Sequence, residues 1–304
     1  MRNDQNVSVN FSRSSRLLAH GGWRRVSLQF DKAQREFVDS WQSVYQEFQN
    51  KPHEAPVACK KLIASQPLAT ALVLSMARAD SIELFGRFKR FLESILKQTE
   101  DLSGYPAVAA IPHVQSGFLY MATSVMSFHW EAWSLFEKLL TTKFEWYYHS
   151  GRATFSYPFD LPYFFHSEAL GRDAAKIHDL FREQLADPEV VSATNLRGNH
   201  STDVYVQTQM LMCLKVAQLR ESGHMLNIWP DFGRFYGDRI TRLLDRIYED
   251  PDFASGILRA FGEDRRTFFS HLNDRLRVIH SVFWRGSPYI YESLGSWEPR
   301  ETHA

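Results

Sequence analysis

Residues 231–284 read DFGRFYGDRITRLLDRIYEDPDFASGILRAFGEDRRTFFSHLNDRLRVIHSVFW, and their apolar residues recur at spacings of three and four. This spacing places apolar side chains on one face of successive helices. Asp250 directly before Pro251 is typical of a helix start, because proline in the first turn lacks an N–H that has no intrahelical partner there. Gly262 is typical of a helix end. The stretch therefore predicts three helices, one ending before Asp250, a short one ending at Gly262 and a third from about Asp264.

Helical spacing extends over almost the whole chain. It predicts further helices at 31–49, 56–78 with an interruption near Gln66-Pro67, about 81–96, 113–148, 172–185 and 201–220. The chain has 304 residues with 44% hydrophobic and 23% charged residues, a composition typical of a globular protein. No sustained alternation of apolar and polar residues indicates a sheet. We predict an all-α, multi-helix globular fold of about eight or nine helices, with two packed helical halves as one arrangement of them.

Changes in composition along the chain divide it into five segments. We predict a basic, poorly ordered leader at 1–30, an N-terminal helical half at 31–150, an aromatic-rich connecting region with one helix at 151–200, a C-terminal helical half at 201–286 and a tail at 287–304.

The formal net charge is zero, but the charges are unevenly distributed. The leader carries five arginines against Asp4, a balance of +4, so the remainder sums to −4. Arg13, Arg16, Arg24 and Arg25 are therefore candidate contacts to nucleic acid or to an acidic partner, the alternative being a solvated terminus. Residues 231–285 hold ten arginines and nine acids, and there we expect pairing within the fold or with a partner chain.

Cysteine use and targeting signals indicate a cytoplasmic protein. Cys59 and Cys213 are too few for a disulfide scaffold or a four-cysteine zinc site, and they indicate a reducing compartment. The first 30 residues contain no apolar stretch of signal-peptide type. The uncharged segment 102–130 is interrupted by prolines and contains several polar residues, so we interpret its later part as a buried helix and expect no membrane partner.

Several catalytic signatures are missing from the sequence. It contains no dinucleotide-binding or P-loop glycine pattern and no G-x-S-x-G nucleophile elbow. A helical di-metal site needs two Glu-x-x-His pairs, and the single pair Glu221/His224 supplies only half of it. We predict no metal and no cofactor, and we interpret His129, beside Trp130, as a core or interface histidine.

An arginine precedes a histidine at short spacing in Arg172-Asp-Ala-Ala-Lys-Ile-His178. This pattern resembles the signature of the helical HEPN ribonucleases, in which Arg-x(4–6)-His on one helix composes an active site at a dimer interface. The resemblance implies metal-independent RNA cleavage, with His178 moving a proton from the ribose 2′-hydroxyl and Arg172 neutralising the phosphorane charge. The same spacing occurs at Arg266/His271 and Arg275/His280. The alternative for His178 is a surface position on a helix.

An aromatic loop and an aromatic tail are the strongest non-catalytic features. Six rings lie within residues 155–165, and we select Tyr163, Phe164 and Phe165 as contact anchors for another protein, because aromatic side chains bury large area at low entropic cost. The alternative is a loop that plugs a crevice between the helical halves. Trp297 is our second choice; we expect the tail to dock on its own body or on a neighbour.

These observations favour a non-enzymatic helical subunit that assembles with other protein subunits, or with itself, in a cytoplasmic complex. One alternative is the HEPN-like ribonuclease with Arg172 and His178 as its catalytic pair. Another is an accessory nucleic-acid-binding subunit that uses the arginine-rich leader. A helical metal or small-molecule enzyme is a further alternative.

Overall fold

The structure is a computed structural model that describes residues 6–98, 105–147, 153–160, 168–221, 238–283 and Trp297. The prediction of an all-α fold is confirmed, but the predicted number of eight or nine helices is wrong. The described residues form thirteen α-helices of at least seven residues, because Val7–Ala19 and Pro188–Thr194 form helices that the pattern does not predict, and the segments 56–78 and 113–148 each contain two helices.

The helices are numbered in chain order. They are α1 (Val7–Ala19), α2 (Trp23–Phe48), α3 (Ala55–Ala64), α4 (Pro67–Arg78), α5 (Phe85–Lys97), α6 (Ile111–His129), α7 (Trp133–Thr141), α8 (Ala174–Leu185), α9 (Pro188–Thr194), α10 (Gly198–Glu221), α11 (Asp238–Glu249), α12 (Pro251–Phe261) and α13 (Arg265–Phe283). Short helical turns lie at Pro52–Glu54, Ile82–Leu84, Pro106–Ala109, Pro158–Asp160 and Glu168–Leu170. Two strands, β1 (Phe144–Tyr147) and β2 (Ala153–Ser156), form an antiparallel pair with Phe144 opposite Ser156.

The helix predicted over 113–148 is instead α6, α7 and the strand β1. Glu131 lies between the two helices with a left-handed backbone, at φ 55°. Asp80, from the connection between α4 and α5, accepts hydrogen bonds from the backbone N–H groups of Ser134 at 3.2 Å and Leu135 at 2.7 Å. A carboxylate at the first turn satisfies N–H groups that have no intrahelical partner, so it fixes the start of α7.

The predicted leader also differs from expectation. Residues 7–19 and 23–30 are helical, so this part of the chain is not a poorly ordered arm. Its apolar side chains Val26 and Phe30 are buried in the core. The remaining boundaries between the five predicted segments stay predictions.

Helix α6 lies at the centre of the core. Its residues from Ile111 to Phe128 are all buried, as expected of an element with apolar residues on most sides. Helices α3, α4, α5, α7, α8 and α10 all pack against it. One cluster of buried apolar side chains extends from Val7 to Ile279, and α7 packs against α12, so helices from both predicted halves share this core.

Within the described residues, no helix by itself has the length and apolar character needed to cross a membrane. Residues 52–64 and 67–78 pass that test only as a pair, with a 62° bend between them.

The short helix α12 confirms the strongest signals of the sequence. Asp250 is its N-cap, and the carboxylate accepts hydrogen bonds from the N–H groups of Asp252 at 3.1 Å and Phe253 at 3.0 Å. Gly262 ends the helix in the left-handed conformation, at φ 66°. Both end residues are local to the helix, which is why the sequence was sufficient to place it.

Candidate functional site

The candidate site is a surface formed by α1, the beginning of α2 and the turn between them. We call it the N-terminal basic surface, and its side chains are all exposed. It consists of Val9, Arg13, Arg16, Trp23, Arg24, Arg25 and Leu28.

The start of α1 is fixed by two side chains. The Asn6 side-chain oxygen accepts a hydrogen bond from Val9 N–H at 3.1 Å, the usual N-cap arrangement. Glu189, in the first turn of α9, accepts hydrogen bonds from the Asn6 side-chain amide and from Val7 N–H, both at 2.8 Å. The Glu189 carboxylate therefore lies at the positive end of the α1 dipole and connects α1 to the body.

An aromatic contact holds the middle of α1. Phe11 is buried and stacks on Trp130, with ring centroids 6.1 Å apart. The guanidinium of Arg78 lies 5.7 Å from the Phe11 ring and 5.9 Å from the Trp130 ring. Because Phe11 faces α4 and the end of α6, the opposite side of α1 faces solvent.

Helical spacing determines which side chains of the surface point outward. In α1 the buried residues are Val7, Asn10, Phe11 and Ser14. Val9, Arg13 and Arg16 occupy the opposite face at spacings of four and three. In α2, burial of Val26 and Phe30 leaves Arg24 and Leu28 outward, one turn apart.

The turn between α1 and α2 is tight. Gly21 has φ 71°, a conformation that favours glycine, and Gly22 N–H donates to the Leu17 carbonyl at 2.7 Å. The side chains of Arg16 and Arg24 are therefore carried on either side of one short turn.

The arginines of this surface have no acidic neighbours in the described part of the chain. None of the four has a carboxylate within ion-pair distance there, and residues 6–30 contain neither Asp nor Glu. The Arg24 guanidinium lies over the Trp23 ring, 5.3 Å from its centroid. Within the described part of the chain, these four positive charges are therefore not compensated by neighbouring carboxylates.

The arginines of the C-terminal third are arranged differently, since many pair with carboxylates of the same chain. These pairs are Arg239 and Arg242 with Asp203, Arg246 with Glu131, Arg259 with Glu137, Arg275 with Glu221 and Glu263, and Arg277 with Asp274. The expected pairing within the fold is therefore seen in this region.

Three of the seven large exposed hydrophobic side chains among the described residues lie on α1 and the beginning of α2. Val9 is 50% exposed, Trp23 41% and Leu28 65%. Among the described residues, the other large exposed hydrophobic side chains are distributed over separate elements: Val57, Ile82, Tyr105 and Tyr248. The charge distribution of the sequence predicts the arginines of the leader as contacts, but it does not indicate these three apolar residues. The signal for Val9 and Leu28 was an apolar residue one helical turn from an arginine on the solvent face, and Trp23 directly precedes Arg24.

Arg172 and His178 contact different neighbours. Arg172 precedes α8 with a left-handed backbone, at φ 57°, and its exposed guanidinium Nε donates to Glu168 at 3.1 Å. His178 is 2% exposed, and its Nδ1 lies 2.7 Å from the Tyr205 hydroxyl and 2.6 Å from the Gln209 side-chain nitrogen. The described contacts thus do not bring the two together, and the catalytic pair stays a prediction.

Two other arginine–histidine pairs fit the same pattern, Arg275/His280 and Arg266/His271. Arg275 is fully buried and binds two glutamates, whereas the side chain of His280 lies outside the described part. Arg266 and His271 are both exposed on α13. Within the described residues no group of three or more His, Cys, Asp or Glu side chains is placed to hold a metal ion.

Of the four predicted aromatic anchors, the structure describes only Trp297. Tyr163, Phe164 and Phe165 lie outside the described residues. Trp297 is half-buried on its own chain, with its ring 4.9 Å from that of Phe269. Its indole N–H donates to Asp245 at 3.1 Å. The tail thus docks on its own body at this point, one of the two expected arrangements, while the role of Trp297 as a partner contact stays a prediction.

The two thiols and His129 show the effect of burial on proton binding. Burial raises the pKa of Cys59 and of Cys213 well above that of an exposed thiol, so both remain protonated near neutrality. Burial, together with the neighbouring His200, lowers the pKa of the half-buried His129. The rings of His129 and His200 lie 5.3 Å apart.

An ionic cluster around the buried Arg275 joins α10 to α13. Arg275 donates to Glu221 through Nε at 3.1 Å and Nη2 at 3.0 Å, and to Glu263 through Nη1 at 2.8 Å and Nη2 at 2.6 Å. Lys215 donates to the Ala260 carbonyl at 2.8 Å, and burial lowers its pKa to about 8. Burial opposes ionisation of Glu263, but hydrogen bonds from Arg275 and Gln218 hold its pKa below the ordinary value.

Comparison with protein-family models, with curated proteins and with solved structures found no match to this chain.

Proposed function

We propose that this chain is a non-enzymatic helical subunit that acts by assembling with another protein in a cytoplasmic complex, and that the N-terminal basic surface is part of its contact face. The observation that carries the proposal is the coincidence of four arginines lacking carboxylate neighbours among the described residues with three exposed apolar side chains. Apolar groups supply affinity in a protein interface, and surrounding charges direct the encounter.

The environment of the reactive side chains is consistent with this proposal. The buried thiols of Cys59 and Cys213 have raised pKa values, which disfavour the nucleophilic thiolate near neutrality. His178 is held in the core by Tyr205 and Gln209. All three side chains are buried in the described fold.

The aromatic segment belongs to the same proposal. Tyr163, Phe164 and Phe165 remain the proposed anchors of a second contact, and Trp297 the next candidate. Rings at the centre of an interface commonly provide much of its binding energy.

Site-specific cross-linking tests the proposed contact face. A photo-reactive phenylalanine analogue replaces Leu28 in one variant and Val57 in a matched control, since the two positions are 65% and 56% exposed. We expect irradiation of the cells that naturally make the protein to join the Leu28 variant to one discrete protein, identifiable by mass spectrometry, and the Val57 control to give no such product. Equal products at both positions, or none at either, would contradict the proposal.

The ribonuclease alternative is tested separately. It requires RNA cleavage in the absence of divalent metal and loss of that cleavage in His178→Ala. The same variant is expected to have no effect on cross-linking from Leu28 if the chain acts by assembly, provided that the fold is retained as judged by circular dichroism.

A further inference from the structure

We infer that the N-terminal basic surface binds an acidic protein segment that also carries apolar side chains. The inference rests on the proposed function and specifies the chemistry of the partner. It starts from the charges of Arg13, Arg16, Arg24 and Arg25, which face solvent on two helices that join at one tight turn.

Charge complementarity favours an acidic partner. The stretch 6–30 carries four arginines and no acid, so its field attracts negative charge over a distance of about 10 Å at ordinary ionic strength. All four cations are arginines, and the planar guanidinium matches a carboxylate with two parallel hydrogen bonds. This chain itself uses that geometry, because Arg275 contacts both oxygens of Glu221 and both oxygens of Glu263.

The apolar residues favour protein over nucleic acid. Proteins that bind single strands combine cationic grooves with several exposed rings on which bases stack. Here Trp23 is the ring on this surface, and the Arg24 guanidinium lies over it. Val9 and Leu28 are aliphatic and match the apolar side chains of a protein segment.

The burial pattern also favours protein over a lipid surface. A helix that lies in a membrane interface inserts a continuous apolar face. The apolar faces of α1 and α2 are instead buried, through Phe11 in α1 and through Val26 and Phe30 in α2. The remaining exposed apolar groups are separate side chains on the same helices as the arginines, an arrangement that suits discrete contacts with a second protein.

A binding assay with defined probes tests the inference. The probes are a fluorescent peptide of repeated Glu-Glu-Leu units, its Gln-for-Glu counterpart, oligouridylate RNA, and phosphatidylcholine vesicles containing phosphatidylserine. The full chain is compared with Arg16→Glu/Arg24→Glu and with the control Arg90→Glu/Arg266→Glu, which makes the same change of net charge at two exposed arginines on α5 and α13.

We expect the acidic peptide to bind, its affinity to fall as salt rises, and the Arg16/Arg24 variant to bind roughly tenfold more weakly, while the control variant and full chain agree. The Gln counterpart is expected not to bind. Tighter binding of RNA or vesicles through the same arginines overturns the inference, as does failure of the acidic peptide to bind. If Leu28 still cross-links to a protein but the acidic peptide does not bind, the proposed function stands and this inference is overturned. Loss of the Leu28 cross-link contradicts the proposed function itself.

Discussion

Replacement of the buried Arg275 tests the ionic cluster between α10 and α13. In Arg275→Met the apolar part of the side chain is largely retained, but the guanidinium is removed from between Glu221 and Glu263. Arg275 has no exposed surface, and the side chain of Glu263 is only 13% exposed. The variant therefore leaves Glu263 without its guanidinium partner and with little access to water, whereas the side chain of Glu221 is 36% exposed.

The expected cost follows from this burial. Removing one partner of a buried ion pair typically costs about 3–5 kcal/mol, because the remaining charge is desolvated and unpaired. For a chain of this size, about 2 °C of melting temperature corresponds to each kcal/mol, so the loss is roughly 6–10 °C. Arg277 provides a matched control on the same helix, since it pairs with Asp274 at 2.8 Å but its side chain is 69% exposed. Arg277→Met is expected to cost at most about 1 kcal/mol.

Thermal unfolding followed by circular dichroism, together with urea unfolding, measures both variants. The triple change Arg275→Met, Glu221→Gln and Glu263→Gln removes the unpaired charges and is expected to recover part of the loss. Equal melting temperatures for Arg275→Met and Arg277→Met would refute the reasoning, since exposure would then have no bearing on the cost. A triple variant less stable than Arg275→Met would refute the assignment of that cost to unpaired carboxylates.

Three further predictions concern packing, helix capping and pH. In Gly256→Ala the new Cβ would clash with the Trp133 ring, so we expect the free energy of unfolding, measured with urea, to fall by about 1–3 kcal/mol. Gly86 has open space around it, so Gly86→Ala is expected to raise the free energy of unfolding by about 0.5–1 kcal/mol, and a rise in both variants would contradict the close approach. Glu189→Gln removes the negative charge at the start of α1, so we expect the free energy of opening of α1 to fall by about 1 kcal/mol and its amide hydrogen exchange to become faster. Unchanged protection of the α1 amides would count against the role of Glu189 in holding this helix. The pKa of Lys215 is about 8 in the folded chain and 10.5 for an ordinary lysine, so between these pH values the unfolded chain binds more protons. The stability of the wild type relative to Lys215→Met is therefore expected to rise with pH in this range. A stability difference that does not change with pH would show that the pKa of Lys215 is not lowered.

The fold was predictable where the signals that end a helix are local. Asp250 and Gly262 stand next to the helix they terminate, and α12 was placed correctly from them. The start of α7 depends on Asp80, which lies more than fifty positions away in the sequence. The start of α1 depends on Glu189, 182 positions from Val7. No local pattern reveals these two long-range contacts, which explains the missed break in the predicted 113–148 helix, whereas the Asn6 N-cap of α1 is a local signal.

The candidate site was predictable in its charges and not in its apolar part. Arg13, Arg16, Arg24 and Arg25 were evident as an excess of charge. The exposure of Val9 and Leu28 follows from which face of each helix the core covers, and that face is selected by tertiary contacts such as Phe11 on Trp130. The spacing of apolar residues identifies the apolar face of a helix. Whether an apolar residue outside that face stays exposed to water depends on which element packs against the helix.

Burial of both thiols makes the natural chain suitable for chemical probing. Cys59 lies in α3 and Cys213 in α10, and neither forms a disulfide. Reagents that require a thiolate are expected to modify either residue only when its helix opens, so the rate of modification reports local opening at two separate points of the core. A cysteine introduced at Leu28 would react quickly, while the buried Cys59 and Cys213 would react slowly. A fluorophore attached at position 28 would report directly on any molecule that covers the N-terminal basic surface.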